Sequence, residues 1–218
     1  MNPDAMIRWI AERLQDHYGE VTRSRSDPLT TLIGTILSQN TNDANRDRAY
    51  RSLVARFGSF DKVKEAPVEE IAKAIRIGGL HRQKAVRIKQ ILERIEQERG
   101  SLDLSFLAEC SLDEAMSWLL ASPGVGKKTA GIVLLFSFGK PYFPVDTHIR
   151  RVTRRLGLMG PKDDPHERMN ALLPRDPMFM ARLHLHLIRL GRELCHPRHP
   201  ECSICPLHDG CGRAAEGI

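Results

Sequence analysis

Apolar residues recur at helical spacing along nearly the whole chain. Met6, Ile7, Ile10 and Leu14 mark one face of a first helix, which Gly19 can end. Asp27-Pro28 places a capping side chain before a proline at the first helical position, and it opens the apolar run LTTLIGTIL. Asp43 is the expected cap of a third helix that buries Ala49, Leu53 and Phe57 until Gly58 stops it. Pro67 opens VEEIAKAIR, and Gly78-Gly79 closes it. Residues 80–99 predict a long basic amphipathic helix with Ile88, Ile91, Leu92 and Ile95 facing inward and Gly100 as its stop. Residues 101–112 read as a looser connection. Helical pattern returns over 112–121 and again over 127–138, the latter apolar nearly all round and therefore central. Asp146 caps a further helix through Leu156, and Pro165 and Pro177 head two more. Only 141–145 hints at a strand, and its two prolines argue against one. The pattern predicts an all-α fold, without repeats or low-complexity tracts.

Composition narrows the class of protein. A chain of 218 residues forms one large domain or two small ones, with enough length to bury a core. At 41% hydrophobic and 28% charged it is too balanced to be disordered. The longest strictly apolar run, 132–136, is far short of the ~18 residues a membrane span needs. The opening MNPDAMIRWIAERL carries charges inside its apolar pattern and no small-residue cleavage site, so it does not read as a secretion signal, and a cytoplasmic location is expected. Thirty-three Lys and Arg against 27 Asp and Glu give +6, an excess that suits a polyanionic partner if it is clustered.

Three local signals carry chemistry. Four of the five cysteines, Cys195, Cys202, Cys205 and Cys211, form a C-x6-C-x2-C-x5-C set. Thiols this close in a cytosolic chain predict a soft-metal site rather than a scattered disulfide framework. Zinc and iron–sulfur compete. Only Cys202 and Cys205 are a close pair, and the spread of the outer two suits an iron–sulfur cube better than the paired ligands of structural zinc. Cys110 stands apart and reads as a small buried hydrophobe.

The second signal is SPGVGKKTA at 122–130. A P-loop would need glycine at 121 and Ser or Thr at 128, where Ala121 and Lys128 stand, and Thr129 occupies the third glycine position of a dinucleotide fingerprint. What remains is a helix, a tight glycine hairpin and a second helix whose first amides are free. Gly124, Val125, Gly126, Lys127 and Thr129 could then hold a phosphate whatever the bases beside it, unless this is an ordinary helix-to-helix turn. The third signal is VDTHI at 145–149, eighteen residues past Lys128 for its aspartate. Taken alone, Asp146 is a helix cap and His148 a structural histidine. Arg150, Arg151, Arg154 and Arg155 give the following helix a positive face.

In their order and spacing, PGVGKKTA, VDTHI and the four-cysteine tail resemble the endonuclease III family of helix-hairpin-helix DNA base-excision glycosylases, and the similarity runs nearly end to end. The resemblance implies that Lys128 is the catalytic lysine and Asp146 the catalytic aspartate, with the four cysteines holding a [4Fe–4S] cluster. It places Leu80, with Gln39 or Asn40, where side chains enter the gap left by an extruded base, and it counts the hairpin residues and His148 among the DNA contacts. Two departures stand out: Ser122 replaces the usual leucine at the start of the hairpin, and the early loop reads SQNTND rather than SAQATD.

The implied architecture is two helical lobes, a six-helix bundle at 28–140 containing the hairpin, and an iron–sulfur cluster lobe joining 1–27 to 141–218. The implied protein is a monomer at the nucleoid that acts on double-stranded DNA with damaged bases or abasic sites. It is a bifunctional DNA glycosylase and AP lyase of base excision repair, directed at oxidised pyrimidines. The competing readings are a monofunctional mismatch or uracil glycosylase, which the lysine at 128 disfavours, and a non-catalytic DNA-binding scaffold.

Overall fold

The computed structural model describes residues 2–21 and 25–212; positions 1, 22–24 and 213–218, which the expected lobes include, lie outside the described residues. Among the described residues the regular structure is helical. No described helix is long and apolar enough to cross a membrane. The chain forms two compact units, one of Arg25–Phe138 and the other joining the N-terminal segment to the chain from Gly139 onward.

The first unit is built around a helix that cannot tolerate water on any side. Helix α8 (Lys127–Phe138) buries Ala130, Val133, Leu134, Leu135 and Phe136, which leaves no polar stripe to face solvent. Helix α2 (Pro28–Leu37) packs along it and contributes Leu32, Ile33, Ile36 and Leu37, all fully buried. Around this pair run α3 (Asp43–Phe57), α4 (Phe60–Glu65), α5 (Val68–Ala74), α6 (His81–Arg99) and α7 (Leu112–Leu120). The inward Ile88, Ile91, Leu92 and Ile95 of α6 join the same core.

Local chemistry sets the ends of these helices. Asp27 accepts from Thr30 N–H at 2.7 Å ahead of Pro28, and Ser111 and Glu114 form a reciprocal capping box on α7. The cap of α3 is Asn42, whose side chain accepts from Asn45 N–H; Asp43 is instead the first helical residue, where its charge favours the helix N-terminus. Helix α4 adds to the six segments legible from periodicity. At six residues it is too short to show a period, and the Ser59 side chain caps it.

In the second unit, α1 (Pro3–Tyr18) lays Ile7, Ile10 and Leu14 against α11 (Pro177–Glu193), with Met180, Leu183, Leu187 and Leu190 on the facing side. Helices α9 (Thr147–Arg155) and α10 (Pro165–Leu172) complete it. Gly191 is what lets α9 approach α11, because a Cβ there would stand 2.8 Å from the Cβ of His148. Trp9 of α1 reaches the C-terminal loops in the same way, lying where a Cβ on Gly210 would need to be.

His186 of α11 is buried, and its Nε2 donates to the carbonyl of Gly19 at the end of α1, 3.1 Å away. Burial holds its imidazole below the ordinary value of 6.5, with Arg182 and Arg189 pushing the same way. As pH falls through 6.5 the unfolded chain takes up this proton before the folded one does, so folding stability is expected to decline on acidification. Chemical denaturation followed against pH should show a shallower decline for His186→Gln than for the native chain.

Candidate functional site

The hairpin between α7 and α8 is a two-glycine turn in which each glycine has a different reason to be there. Val125 N–H donates to the Ser122 carbonyl at 3.1 Å, closing a four-residue turn with Pro123 second and Gly124 third at φ +76°. Proline followed by a positive-φ glycine is the sequence of a type II turn. A Cβ at Gly124 would also lie 2.4 Å from Cδ of Arg87. Gly126 is unlike it: its Cα faces open space, with nothing within 4 Å of where a Cβ would go. Val125 is buried and anchors the turn. The Gly126 carbonyl then accepts from Ala130 N–H, so α8 begins at once and the amides of Lys127, Lys128 and Thr129 belong to its first turn.

Ser122 is buried, and its hydroxyl takes a hydrogen bond from Arg94 at 2.6 Å. The same guanidinium donates to the Trp118 carbonyl and pairs with Glu98, which in turn accepts from the Trp118 indole. The hydroxyl at this position thus joins a polar brace that fixes the end of α7 to α6.

Lys128 is half-buried on the first turn of α8, and its amine meets no hydrogen-bond or ion-pair partner among the described residues. Lys127, beside it, is also half-buried, and Thr129 is buried within the core-facing side.

Gln39 is half-buried and bonded within the protein. Its Nε2 donates to the Gly124 carbonyl at 3.0 Å and its Oε1 accepts from Arg87 at 3.1 Å, so it links the early loop, α6 and the hairpin. Asn40 and Leu80 are instead exposed, and both hold the left-handed backbone, with φ of 50° and 46°. Only His199 shares that feature among the described non-glycine residues. The loops carrying Asn40 and Leu80 are neighbours, since a Cβ on Gly79 would stand 3.8 Å from the Asn40 carbonyl oxygen. The structure therefore brings together Gln39, Asn40, Leu80 and Gly124 within one unit, with Gln39 turned inward.

In the second unit Asp146 caps α9: its Oδ1 accepts from Ile149 N–H at 2.8 Å, and no described residue bonds to the other oxygen. The approach to it, 143–145, has no regular structure and pairs with side chains instead of a strand. Asn170 accepts from Phe143 N–H and donates to Phe143 C=O, at 2.7 and 3.0 Å, while His184 Nδ1 donates to the Pro144 carbonyl at 2.9 Å. Sequence reading missed Asn170, His166 and His184 because they lie on α10 and α11, and nothing in their local pattern points at Asp146. His148 accepts at Nδ1 from Arg151, a residue with donors only, which leaves its Nε2 to carry the hydrogen. Arg151 also donates to the carbonyls of Gly191 and Cys195.

Cys195, Cys202, Cys205 and Cys211 are free thiols, each half-buried, lining one pocket with Arg155, Leu194, Pro200, Glu201 and His208. Successive tight turns gather them: Cys205 N–H donates to the Cys202 carbonyl and Cys211 N–H to that of His208. Arg155 donates to Cys195 Sγ at 3.0 Å and to the His196 carbonyl. Burial pushes the Cys205 thiol up, and the other three cysteines push it further, against a lowering hydrogen bond from the Leu207 backbone. Among the described residues no three His, Cys, Asp or Glu side chains are placed to hold a single metal ion. Four cysteines lining one pocket, of which only Cys202 and Cys205 are a close pair in sequence, suit a polynuclear iron–sulfur group better than one tetrahedral zinc.

Residues 33–175 match the model of the HhH-GPD superfamily of base excision DNA repair proteins, and 195–211 match the iron-sulfur binding domain of endonuclease III. The chain is 31% identical over 210 residues to endonuclease III of Thermotoga maritima, covering 95% of this chain and 91% of that one. It is 38% identical over 186 residues to endonuclease III of Sulfolobus acidocaldarius, covering 83% and 80%. Among solved structures, a trapped endonuclease III–DNA covalent intermediate superposes with a TM-score of 0.82 at 26% identity, over 100% of this chain and 99% of that one.

The two hairpin glycines should separate experimentally. Gly124→Ala is expected to cost about 1–3 kcal/mol of folding stability, from the positive φ together with the clash on Arg87. Gly126→Ala should stay within about 0.5 kcal/mol of the native chain. Denaturant unfolding of the two variants measures both.

Proposed function

The chain belongs to the HhH-GPD superfamily of base excision DNA repair proteins, and from that premise we propose that it is a bifunctional DNA glycosylase and AP lyase, removing oxidised pyrimidines from duplex DNA and cutting at the abasic site. The observation that carries the reading is Lys128: a half-buried lysine on the first turn of a helix, behind a glycine turn, whose amine meets no partner among the described residues.

A base cannot be excised while stacked, so the nucleotide must first be flipped, at a cost of a few kcal/mol. Backbone contacts offset it. The hairpin amides and the first turn of α8 grip phosphate, and the bare Gly126 lets a strand come close. Asn40 and Leu80, exposed on adjacent loops, fill the vacated stack, while Gln39 braces the hairpin from behind. His148 and the exposed Arg150 of α9 add contacts to the DNA backbone.

Breaking the N-glycosidic bond leaves positive charge on the sugar as the base departs with the bonding pair. The Asp146 carboxylate, with one oxygen unbonded, stabilises that charge more in the transition state than in the ground state. The deprotonated Lys128 amine bonds to C1′ and, on ring opening, forms a Schiff base. Loss of a C2′ proton then expels the 3′ phosphate and the strand is cut. Only the unprotonated amine attacks.

Cys195, Cys202, Cys205 and Cys211 hold a [4Fe–4S] cluster, which when bound cross-links the 195–211 loop and takes no part in the bond changes. The loop presents His196, Arg198 and His199 to DNA. On this reading 28–140 is the base-flipping bundle and 1–27 with 141–218 the cluster domain, and the protein works as a monomer on the nucleoid in the cytoplasm.

Borohydride reduction during reaction with an abasic duplex should trap a covalent protein–DNA adduct. The adduct is expected to disappear in Lys128→Ala and to form still in Lys127→Ala; an adduct that survives Lys128→Ala overturns the assignment. The purified protein should be yellow-brown, and Cys202→Ser should lose that absorption.

A further inference from the structure

Lys84 is among the most buried large side chains in the molecule, 1% exposed on the first turns of α6. Lysine is seldom buried so completely without an acidic partner. Among the described residues none pairs with it, and burial alone pushes its amine down to about 8. Its ammonium instead donates to two backbone carbonyls, Leu37 and Gly78, each at 2.8 Å. Leu37 ends α2, three residues before Asn40, and Gly78 ends a short 3-10 turn, two residues before Leu80. Gly78 is pressed against α3, where a Cβ would meet that of Ala49 at 3.2 Å. The Leu80 carbonyl also accepts from the Lys84 amide at 2.9 Å. One buried charge therefore ties together the roots of two adjacent loops, whose tips are exposed side chains on left-handed backbone.

We infer that Lys84 is the positioning residue of the duplex-probing pair, holding the loops of Asn40 and Leu80 at one fixed separation so that both side chains enter the base stack together. An apolar side chain of similar length would fill the same space but leave both carbonyls without a donor and each loop free to shift. This inference rests on the repair reading given above.

The test uses the full-length protein with its cluster and a duplex carrying a stable abasic analogue beside a fluorescent adenine analogue, whose emission rises when its neighbours unstack. Lys84→Met should bind this duplex roughly tenfold more weakly, as expected for the loss of a charged hydrogen bond, and should lose most of the emission rise. Its borohydride adduct with a single-stranded abasic oligonucleotide should match the native yield, because the chemistry is untouched. In the background Asn40→Ala plus Leu80→Ala, adding Lys84→Met should cause no further loss.

Where Lys84→Met does not fold, Lys84→Gln serves: it is neutral and cheaper to bury, and it reaches one carbonyl but not both, so the same losses are expected. A folded variant with native affinity and emission overturns the inference, as do losses that simply add to those of the tip variants. If the native protein itself yields neither adduct nor emission rise, the repair reading falls and this inference with it. If the native protein yields both and the variants match it, only the role of Lys84 falls.

Discussion

A helix with no polar side has to be enclosed, and that constraint on α8 organises the first unit. Because Ala130, Val133, Leu134 and Phe136 all require burial, the surrounding helices wrap the body of α8, and its half-buried N-terminal end follows the exposed Gly126. The N-terminal end is where a helix carries unbonded amides and positive potential. Lys128 sits on that end, so one packing requirement places both the phosphate grip and the reacting amine that we propose. The type II turn before it follows from the same economy, since α7 must end, reverse and lead into α8 within a few residues.

The second unit depends on side chains that hold backbone. Asn170 bonds both polar groups of Phe143, and His184 takes the carbonyl of Pro144, so the chain reaches Asp146 immobilised although it has no strand to pair with. Beyond Asp146, Arg151 and Arg155 project from α9 and bond the backbone of the cysteine loop at Cys195 and His196. Donors from a regular helix thus shape a stretch of chain that has almost no regular structure of its own. Guanidinium groups suit this task, because each presents several donors in a fixed plane.

Much of this was legible in the sequence, and the reasons differ from place to place. Asp27, Gly58, Gly100 and Asp146 act through their nearest neighbours along the chain, so the helix ends they set could be read directly. The four cysteines were legible because thiols at fixed spacing have few other uses, whereas the glycine hairpin, which alone could be an ordinary turn, was legible through its order and spacing with VDTHI and the cysteines. What could not be read depends on distant partners. Gln39 could stand for a probing residue until its amide is seen against Gly124 and Arg87, positions 85 and 48 residues away. Lys84 lies in a helix rich in basic residues and reads as one more solvated charge, whereas it is buried. Ser122 looks like a lost leucine, yet its hydroxyl completes the brace around Arg94.

The cap at Asp146 gives that position an unusual way to fail. Its Oδ1 fastens the first turn of α9, a duty that asparagine, serine or threonine also performs, while in the proposed reaction the other oxygen is the one offered to the sugar. On the proposed reading, replacement by any of these three would keep the fold and silence the chemistry. A cell carrying such an allele would make a sound protein that settles on lesions and leaves them there, shielding damage from other repair routes. The harm would then come from occupancy rather than scarcity.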